Sequence, residues 1–314
     1  MSARACAWKT ERLSALEKVW HGLFALTRRP TPFVSYEWFA ALARCILKCD
    51  PEVLVFVEDD AVTGIVPAGI ADGKLKMIGD ERVTDMSGIV STAGHEERVA
   101  EGFARLVDER GLGLDLFPLE AGSPLVAGLR DRLTGVVVEK KDACPLLALP
   151  QKWDDYLAGL DAKARHELRR KMRKINGDGT VLQDVSPRDI EILFRLMVLS
   201  DRGKDEFLTA DMRPFFRELA EVFGRSGWLR MRALLAGQRP AGIVLAFGLQ
   251  GRIYLYNMGF DPEYQDLSPG IVTIALDIRS AIDEGYRYYD FLRGGEDYKY
   301  RLGAVDRQTV RVAR

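Results

Sequence analysis

Residues 228–292, WLRMRALLAGQRPAGIVLAFGLQGRIYLYNMGFDPEYQDLSPGIVTIALDIRSAIDEGYRYYDFL, carry the clearest structural signal in this chain. Three apolar runs follow one another and are separated by glycine-containing turns, a pattern that predicts three consecutive antiparallel strands. After a loop, apolar residues recur at helical spacing over 271–285, and Gly285 stands where a helix-ending glycine belongs. The run YRYYDFL predicts one more strand. The region therefore predicts an antiparallel meander followed by a loop, a helix and a strand.

The rest of the chain also places helices before strands. Before residue 150, the patterns predict helices over 11–26, 35–46, 95–110 and 123–132, and strands within 52–79, 112–119 and 135–141. The run CPLLALP, residues 144–150, ends this half, and Pro150 marks a boundary. After it, they predict helices over 153–175, 186–202 and 209–227. We therefore expect an α+β protein of two related domains, 1–150 and 151–314.

Composition limits the kinds of protein and chemistry to consider. The 314 residues suffice for about two domains, and 47% of them are hydrophobic. The formal net charge of −1 gives no reason to expect the chain as a whole to bind nucleic acid or membranes. The four cysteines form no CxxC pair and the three histidines are scattered, so neither a metal site nor a serine–histidine–aspartate triad is predicted. The cysteines are expected to be small buried hydrophobic residues.

Location is predicted from two further features. The N-terminal segment MSARACAWKTERL lacks an apolar core of signal-peptide length. No run reaches 18 apolar residues, so no membrane-spanning helix is expected. Together they predict a cytoplasmic protein.

The loop YQDLSPG, just before the long helix, has the features of an anion site. A helix N-terminus presents unpaired N–H groups and a partial positive charge. Ser268 could cap the helix, Pro269 suits its first turn, and Gly270 would let a ligand approach the backbone. These residues, with Gln265, are candidates to hold a pyrophosphate group. An ordinary capped helix after a turn is the alternative.

Several separated motifs resemble one superfamily. The order of antiparallel strands, loop, helix and strand is similar to the acyl-CoA site of the acetyltransferase (GNAT) fold. The loop resembles its Gln/Arg-x-x-Gly-x-Gly/Ala pattern, with Ser268 in place of the first glycine. The segments YLAGLDAKARHELRRKMRKI, LYNMGFDPEYQDLSPGIV and AIDEGYRYYDFLRGGEDYKYRLG resemble FemAB-like acyltransferases, especially the CelD-type branch, as do PFVSYEWFAAL and DMSG. The resemblance implies tandem GNAT-like domains with mixed, mainly antiparallel sheets flanked by helices.

The resemblance also implies an activity. We expect transfer of an acyl group to an amine or hydroxyl of a sugar or a cell-envelope or polysaccharide precursor. The CelD-type branch points to an acyl thioester as donor, so acyl-CoA or an acyl-carrier protein is the expected co-substrate, with no metal and no tightly bound cofactor. Two alternatives stay open. One is an aminoacyl-tRNA-dependent transferase of the peptidoglycan type, and the other is a non-catalytic module that binds an anionic polymer or a carrier protein.

The segment DFLRGGEDYKYRLG, which begins at Asp290, holds the candidate catalytic groups. The resemblance assigns Lys299 to the position of a lysine implicated in the transition state of FemAB-like enzymes, where a cation would stabilise the developing negative oxygen. Asp290 and Asp297 could take the proton that the acceptor loses, and Tyr298 could protonate a leaving thiolate. The alternatives are a solvated surface lysine, a tyrosine that packs in the core, and an Asp290 that pairs with Arg293 or caps a turn.

The helix that contains KARHELRRKMRK, residues 163–174, holds seven Lys or Arg residues and one acid. Arg165, Arg169 and Arg173 recur four residues apart on one face, and guanidinium forks suit phosphates. They are candidates to bind a nucleotide-sugar, the phosphopantetheine of an acyl carrier, or tRNA. A solvated helix face is the alternative. Two further candidates for substrate contact are Arg293 and Tyr256.

Overall fold

The computed structural model describes residues 6–175 and 179–314. Residues 1–5, on which part of the leader prediction rests, lie outside the described residues. In the part of the chain that is described, no helix is both long enough and apolar enough to cross a membrane.

Groups of strands and groups of helices alternate along the described residues. The strands are β1 (Cys6–Arg12), β2 (Glu52–Glu58), β3 (Ala61–Val66), β4 (Ala68–Ala71), β5 (Lys74–Met77), β6 (Val90–Ser91), β7 (Gly113–Glu120), β8 (Val137–Ala143), β9 (Leu146–Ala148), β10 (Val181–Asp184), β11 (Leu229–Ala236), β12 (Arg239–Leu249), β13 (Arg252–Phe260), β14 (Tyr288–Asp290) and β15 (Gln308–Ala313). The helices are α1 (Glu17–Leu26), α2 (Tyr36–Leu42), α3 (Glu96–Glu109), α4 (Pro124–Arg132), α5 (Trp153–Gly159), α6 (Ala162–Ile175), α7 (Ile190–Ser200), α8 (Gly203–Phe207), α9 (Met212–Arg225), α10 (Pro269–Asp283) and α11 (Asp297–Arg301).

Contacts divide the chain into two units. Unit 1 is Met1–Ala143 with Arg307–Arg314, and unit 2 is Cys144–Asp306. This division differs from the boundary expected at residue 150, because β9 joins the sheet of unit 2 and β15 joins a sheet of unit 1. Neither strand could be assigned to a sheet from its own sequence, since a short apolar run does not specify its partner.

Unit 1 contains two β-sheets and the helices that pack against them. Its strands form a sheet of order β1-β2-β3-β6 and a second of order β4-β5-β7-β15-β8. Strand β15 lies between β7 and β8 and runs antiparallel to both. Apolar side chains from α3 and α4 pack against strands of both sheets in one core, which includes Phe56, Phe103 and Val312. Burial of this apolar surface provides the main stabilising term for the unit.

Unit 2 holds a six-stranded sheet of order β10-β11-β12-β13-β14-β9. Strands β10 to β13 are antiparallel, β13 and β14 are parallel, and β14 and β9 are antiparallel. Helix α10 provides the connection between β13 and β14, and its apolar side, which includes Ile274, Ile278 and Ile282, packs against the sheet. The C-terminal end of β13, the start of α10 and the segment after β14 therefore meet in one region.

The structure confirms the predictions that rested on strong periodicity. The meander of 228–260 is present as β11, β12 and β13, and the following helix and strand are α10 and β14. Gly285 has φ of +81° and follows the last turn of α10, as predicted. Ser35 caps α2, since its hydroxyl accepts a hydrogen bond from the Trp38 N–H at 3.2 Å.

Several predictions were wrong. The helix expected from residue 11 begins at Glu17, because β1 and a short 3₁₀ turn precede it. Strands β1, β6, β9, β10 and β15 and helices α8 and α11 were not predicted, because they are short or lack a clear apolar period. The expected burial of the cysteines holds for Cys144, whereas Cys6 and Cys49 are exposed. The amino-acid composition does not show which cysteines are buried and which are exposed.

Gly259 in β13 lies against the backbone of α7, and its replacement should destabilise the fold. A Cβ atom there would stand within 2.4 Å of the Leu196 carbonyl carbon and the Met197 nitrogen. Backbone atoms cannot move aside as a flexible side chain can, so we expect Gly259→Ala to lower the free energy of unfolding by about 3 kcal/mol. Urea denaturation would measure it. Gly159→Ala in α5 is the matched control, because a Cβ there meets nothing within 4 Å. A loss below about 1 kcal/mol for Gly259→Ala would contradict this packing role.

Candidate functional site

A cavity of about 330 Å³ lies in unit 2 where α6, the start of α10 and α11 approach one another. Its walls carry both charged and apolar groups. The lining residues are Asp161, Lys163, Ala164, Glu167, Leu168, Lys171, Ile271, Tyr298, Arg301 and Leu302. Below, this is called the α10 cavity. It brings Tyr298, a predicted catalytic residue, near Ile271, which directly follows the predicted anion loop, but the four predicted loop residues do not line it.

Strand β13 has an open edge close to the start of α10. It pairs with β14 over Arg252–Tyr254 and Tyr288–Asp290. Beyond that, residues 255–260 have no strand partner on this side in the described parts of the chain. A shift of register between β12 and β13 also makes Tyr256 the extra residue of a β-bulge. The unpaired edge offers backbone N–H and C=O groups to an extended ligand.

The loop before α10 is held to α6 by two lysines. Lys171 Nζ donates a hydrogen bond to Ser268 Oγ at 2.5 Å, and Lys174 Nζ donates to the Asp266 carbonyl oxygen at 2.6 Å. Ser268 has left-handed backbone angles and makes no side-chain cap, so its predicted capping role is wrong. Its hydroxyl is instead directed to the lysine. Gln265 is exposed on the same loop.

Pro269 and Gly270 begin α10. Pro269 is in the first turn, as predicted. Gly270 is buried, and a Cβ atom there would stand 3.0 Å from Met258 Cε and 3.1 Å from Phe260 Cδ1. The glycine is therefore required for close packing of α10 on β13. Its part in ligand binding stays a prediction.

Lys299 is buried, which excludes the alternative of a solvated surface lysine. Its side chain is 3% exposed. The ammonium donates hydrogen bonds to the carbonyl oxygens of Arg293 and Gly294, each at 3.0 Å, and pairs with Glu296 at 2.8 Å. All three ammonium protons are thereby used. In this arrangement Lys299 fixes the loop that leads into α11.

Asp290 is fully buried at the end of β14. Its carboxylate pairs with Arg252 at 3.3 Å and accepts a hydrogen bond from the Leu292 N–H at 3.1 Å. Leu292 has a positive φ of 57°, so the second bond stabilises a left-handed turn. The predicted alternative of a turn cap is thus present in the structure. Arg252, an unpredicted residue, supplies an ion pair to this carboxylate.

The other two candidates on α11 have different surroundings. Burial raises the pKa of the Tyr298 phenol, and the charge of Glu296 adds to the effect. Its hydroxyl makes no hydrogen bond within the described residues, although the ring lines the α10 cavity. Asp297 has an 88% exposed side chain and faces Arg301 at 3.6 Å. Tyr298 therefore stays protonated at neutral pH, while Asp297 lies in solvent.

The arginines of α6 do not form the single row of free guanidinium groups that was predicted. Arg165 donates to the carbonyl oxygens of Ala158 and Leu160 at 3.1 and 3.2 Å, so it closes the end of α5. Arg169 and Arg173 line another cavity, described below. The helical spacing was right, but the packing of α5 against α6 gives Arg165 its own partners.

The remaining predicted substrate contacts lie away from the lining of the α10 cavity. The ring of Tyr256 stacks on Phe216 at 5.5 Å and contacts Phe247 at 5.3 Å. The carbonyl of Arg293 accepts from Lys299, as described above. Their role in substrate binding stays a prediction.

Sequence reasoning missed several residues of the site. Lys171 was noted only as one of many charges on α6, and Asp161, Glu167 and Arg301 were not singled out. Hydrogen bonds from Arg170 and Lys171 lower the pKa of the Glu167 carboxyl to about 2, so it is ionised. The density of charge on α6 was the available signal, but it does not identify which charges face the loop before α10.

Comparison with a family model identifies the domain that carries this site. Residues 162–300 match the model described as an acetyltransferase (GNAT) domain. The matched region contains α6, the meander, α10 and most of α11, and it includes seven of the ten residues that line the α10 cavity. A comparison with curated proteins finds no match to this chain.

Solved structures with the same fold cover nearly the whole chain. FemX matches with a TM-score of 0.66 and 10% identity over 98% of this chain and 96% of that one. The C-terminal DUF2156 domain of a protein described as a lysylphosphatidylglycerol synthetase of Agrobacterium fabrum matches with a TM-score of 0.63 and 11% identity over 96% and 92%. A tandem GNAT protein from the clavulanic acid biosynthesis pathway matches with a TM-score of 0.51 and 12% identity over 98% of each chain. At such identities these likenesses establish the fold, including its tandem GNAT arrangement. Residues 162–300 are therefore similar to a GNAT acetyltransferase domain, and the chain as a whole shares its fold with FemX and the DUF2156 domain.

Proposed function

We propose that this protein is an acyltransferase, which moves an acyl group from a thioester, on CoA or a carrier protein, to an amine or hydroxyl of a sugar or cell-envelope precursor. The observation that carries the proposal is the presence together in unit 2 of the N-terminus of α10, the open edge of β13 that packs against it, and a half-buried, protonated Tyr298 in the α10 cavity. We expect the reaction to take place in the cytoplasm, where acyl thioesters are made available.

Donor binding would use the backbone and the cations of the site. An extended thioester arm with amide groups could pair with the free edge of residues 255–260. Its phosphates would lie at the first turn of α10, where the Ile271 N–H and the ammonium groups of Lys163 and Lys171 are near. Gln265, Ser268, Pro269 and Gly270 would shape this loop.

The chemistry would need one proton donor at the leaving group. The acceptor nitrogen or oxygen attacks the thioester carbonyl carbon, and the carbon–sulfur bond breaks. Tyr298 would protonate the departing thiolate and recover the proton that the acceptor loses. The phenol is protonated at neutral pH, so it has a proton to give. Lys299 and Asp290 would hold the 290–299 segment in position, and the ammonium of Lys299 could also stabilise the oxyanion directly.

Tyr298→Phe should lower turnover about 100-fold, because a general acid contributes this much or more. Release of free thiol from acetyl-CoA and longer acyl-CoA, measured with amino-sugar acceptors, would test it. Tyr300→Phe is the matched control, since the Tyr300 hydroxyl donates to Asp306 at 2.6 Å and lies outside the lining of the cavity. Unchanged turnover in Tyr298→Phe would remove the residue from the mechanism. An absence of turnover in the wild-type protein with every acyl donor would favour the non-catalytic binding module.

An aminoacyl-tRNA donor is the second candidate. The exposed arginines Arg169 and Arg173 of α6 favour it, since they could bind an RNA backbone. The same assay with aminoacyl-tRNA in place of acyl-CoA distinguishes the two. Transfer from aminoacyl-tRNA alone would replace the thioester proposal.

A further inference from the structure

Unit 2 contains another cavity, of about 500 Å³, whose lining shares no residue with the α10 cavity. It lies among α5, α6 and the second half of α10. The lining residues are Trp153, Leu157, His166, Arg169, Met172, Arg173 and Arg279. We propose that this arginine cavity binds a nucleoside phosphate, with the phosphates on the arginines and the base against Trp153. The proposal goes beyond the acyl-transfer site, because it concerns different residues.

The charges of the arginine cavity are unbalanced. Arg169, Arg173 and Arg279 make no ion pair or side-chain hydrogen bond within the described residues, and no carboxylate there lines the cavity. The other two arginines of α6 are satisfied: Arg165 by carbonyl oxygens and Arg170 by Glu167 at 2.8 Å. Like charges that converge on one cavity repel one another unless an anion joins them. Guanidinium groups from two helices can bind a phosphate in a bidentate manner.

The apolar side of the cavity suits a flat ring. Trp153 is the first residue of α5, and its indole is half-buried and tilted against the Tyr156 ring at 4.9 Å. Leu157 and Met172 complete this wall. An aromatic base could stack on the indole while its phosphates reach the arginines, and base stacking on aromatic side chains is insensitive to base identity. A bare inorganic anion would leave this wall unused.

Two faces of α6 therefore line two different cavities. Lys171 and Glu167 face the α10 cavity, whereas Arg169 and Arg173 face the arginine cavity. This separation makes the proposal testable apart from catalysis. Substitutions in the arginine cavity leave the residues of the α10 cavity in place.

The test is a titration of the whole chain with ADP, read by quenching of tryptophan fluorescence. We expect saturable quenching that is lost in Trp153→Phe, competition by pyrophosphate, and weaker competition by adenosine. Arg173→Gln and Arg279→Gln should each weaken ADP binding about tenfold or more, because each removes a charge-assisted hydrogen bond. Arg170→Gln is the matched control on the same helix and should bind as the wild type does.

Other results would overturn the proposal. An equal loss of ADP affinity in Arg170→Gln would mean that ADP binding depends only on the general positive charge of α6. Quenching that persists in Trp153→Phe, or adenosine that competes as well as ADP, would contradict the assigned geometry. A short oligoribonucleotide that binds far more tightly than ADP would assign the cavity to RNA instead. Because Arg279 is exposed and without a partner in the described residues, its replacement should leave the melting temperature unchanged, so loss of binding there cannot be attributed to unfolding.

Discussion

Lys299→Met should lower turnover about 100-fold or more, with little change in substrate affinity. If the ammonium stabilises the oxygen that becomes negative in acyl transfer, its loss raises the barrier by about 3 kcal/mol. The structure indicates a second way in which Lys299→Met would lower turnover. The ammonium holds the carbonyl oxygens of Arg293 and Gly294 and the carboxylate of Glu296, and these would be left unpaired. Steady-state kinetics and separate binding measurements would report the effect.

Glu296→Gln distinguishes the two routes. It removes the ion pair but keeps the ammonium of Lys299 in its buried position. If Lys299 acts directly on the oxyanion, Glu296→Gln should retain most of the turnover. If Lys299 acts by holding the loop, Glu296→Gln should lose part of it and Tyr298 should be mispositioned. Lys299→Arg should rescue poorly in either case, because the wider guanidinium cannot occupy the same space. Near-normal turnover in Lys299→Met would remove the residue from both roles.

Asp277→Ala should lower the free energy of unfolding by about 3–5 kcal/mol, the range for breaking one side of a buried ion pair. Asp277 is fully buried in α10. Its carboxylate accepts hydrogen bonds from Arg230 Nε at 2.7 Å and from the Tyr289 hydroxyl at 2.9 Å. Without it, a 9% exposed guanidinium and a fully buried hydroxyl lose a partner. Urea denaturation with the fluorescence of the native tryptophans would measure the change.

Glu284→Ala provides the comparison. Glu284 also pairs with Arg230, at 2.6 Å, but its side chain is 37% exposed, so water can replace the contact. We expect a loss of about 1 kcal/mol or less. The loss of unfolding free energy in Tyr289→Phe should lie between those of Asp277→Ala and Glu284→Ala, since this change removes one neutral hydrogen-bond donor and leaves the ion pair. Equal and small losses for Asp277→Ala and Glu284→Ala would show that the buried network contributes little to stability.

Repeating local patterns made much of unit 2 predictable. The meander, α10, Gly285 and β14 each follow from a spacing of apolar residues or from a glycine at a helix end, which are properties of adjacent residues. The motif resemblance extended this to the superfamily, and the match over residues 162–300 agrees with it. The candidate site was predicted in part, because the 290–299 segment and the loop before α10 were identified by composition and order.

The sequence by itself determined the meander, α10 and β14 and the resemblance to the GNAT superfamily, and tertiary packing decided which partner each polar group has. Nothing near Leu146–Ala148 or Gln308–Ala313 specifies the strand that each one joins. From the sequence, Arg165 and Arg169 are equivalent positions on one helix face. In the structure, Arg165 donates a hydrogen bond to a carbonyl oxygen at the end of α5, whereas Arg169 lines the arginine cavity. A helical period specifies a face, whereas burial and hydrogen bonding depend on the residues, distant in sequence, that pack against that face.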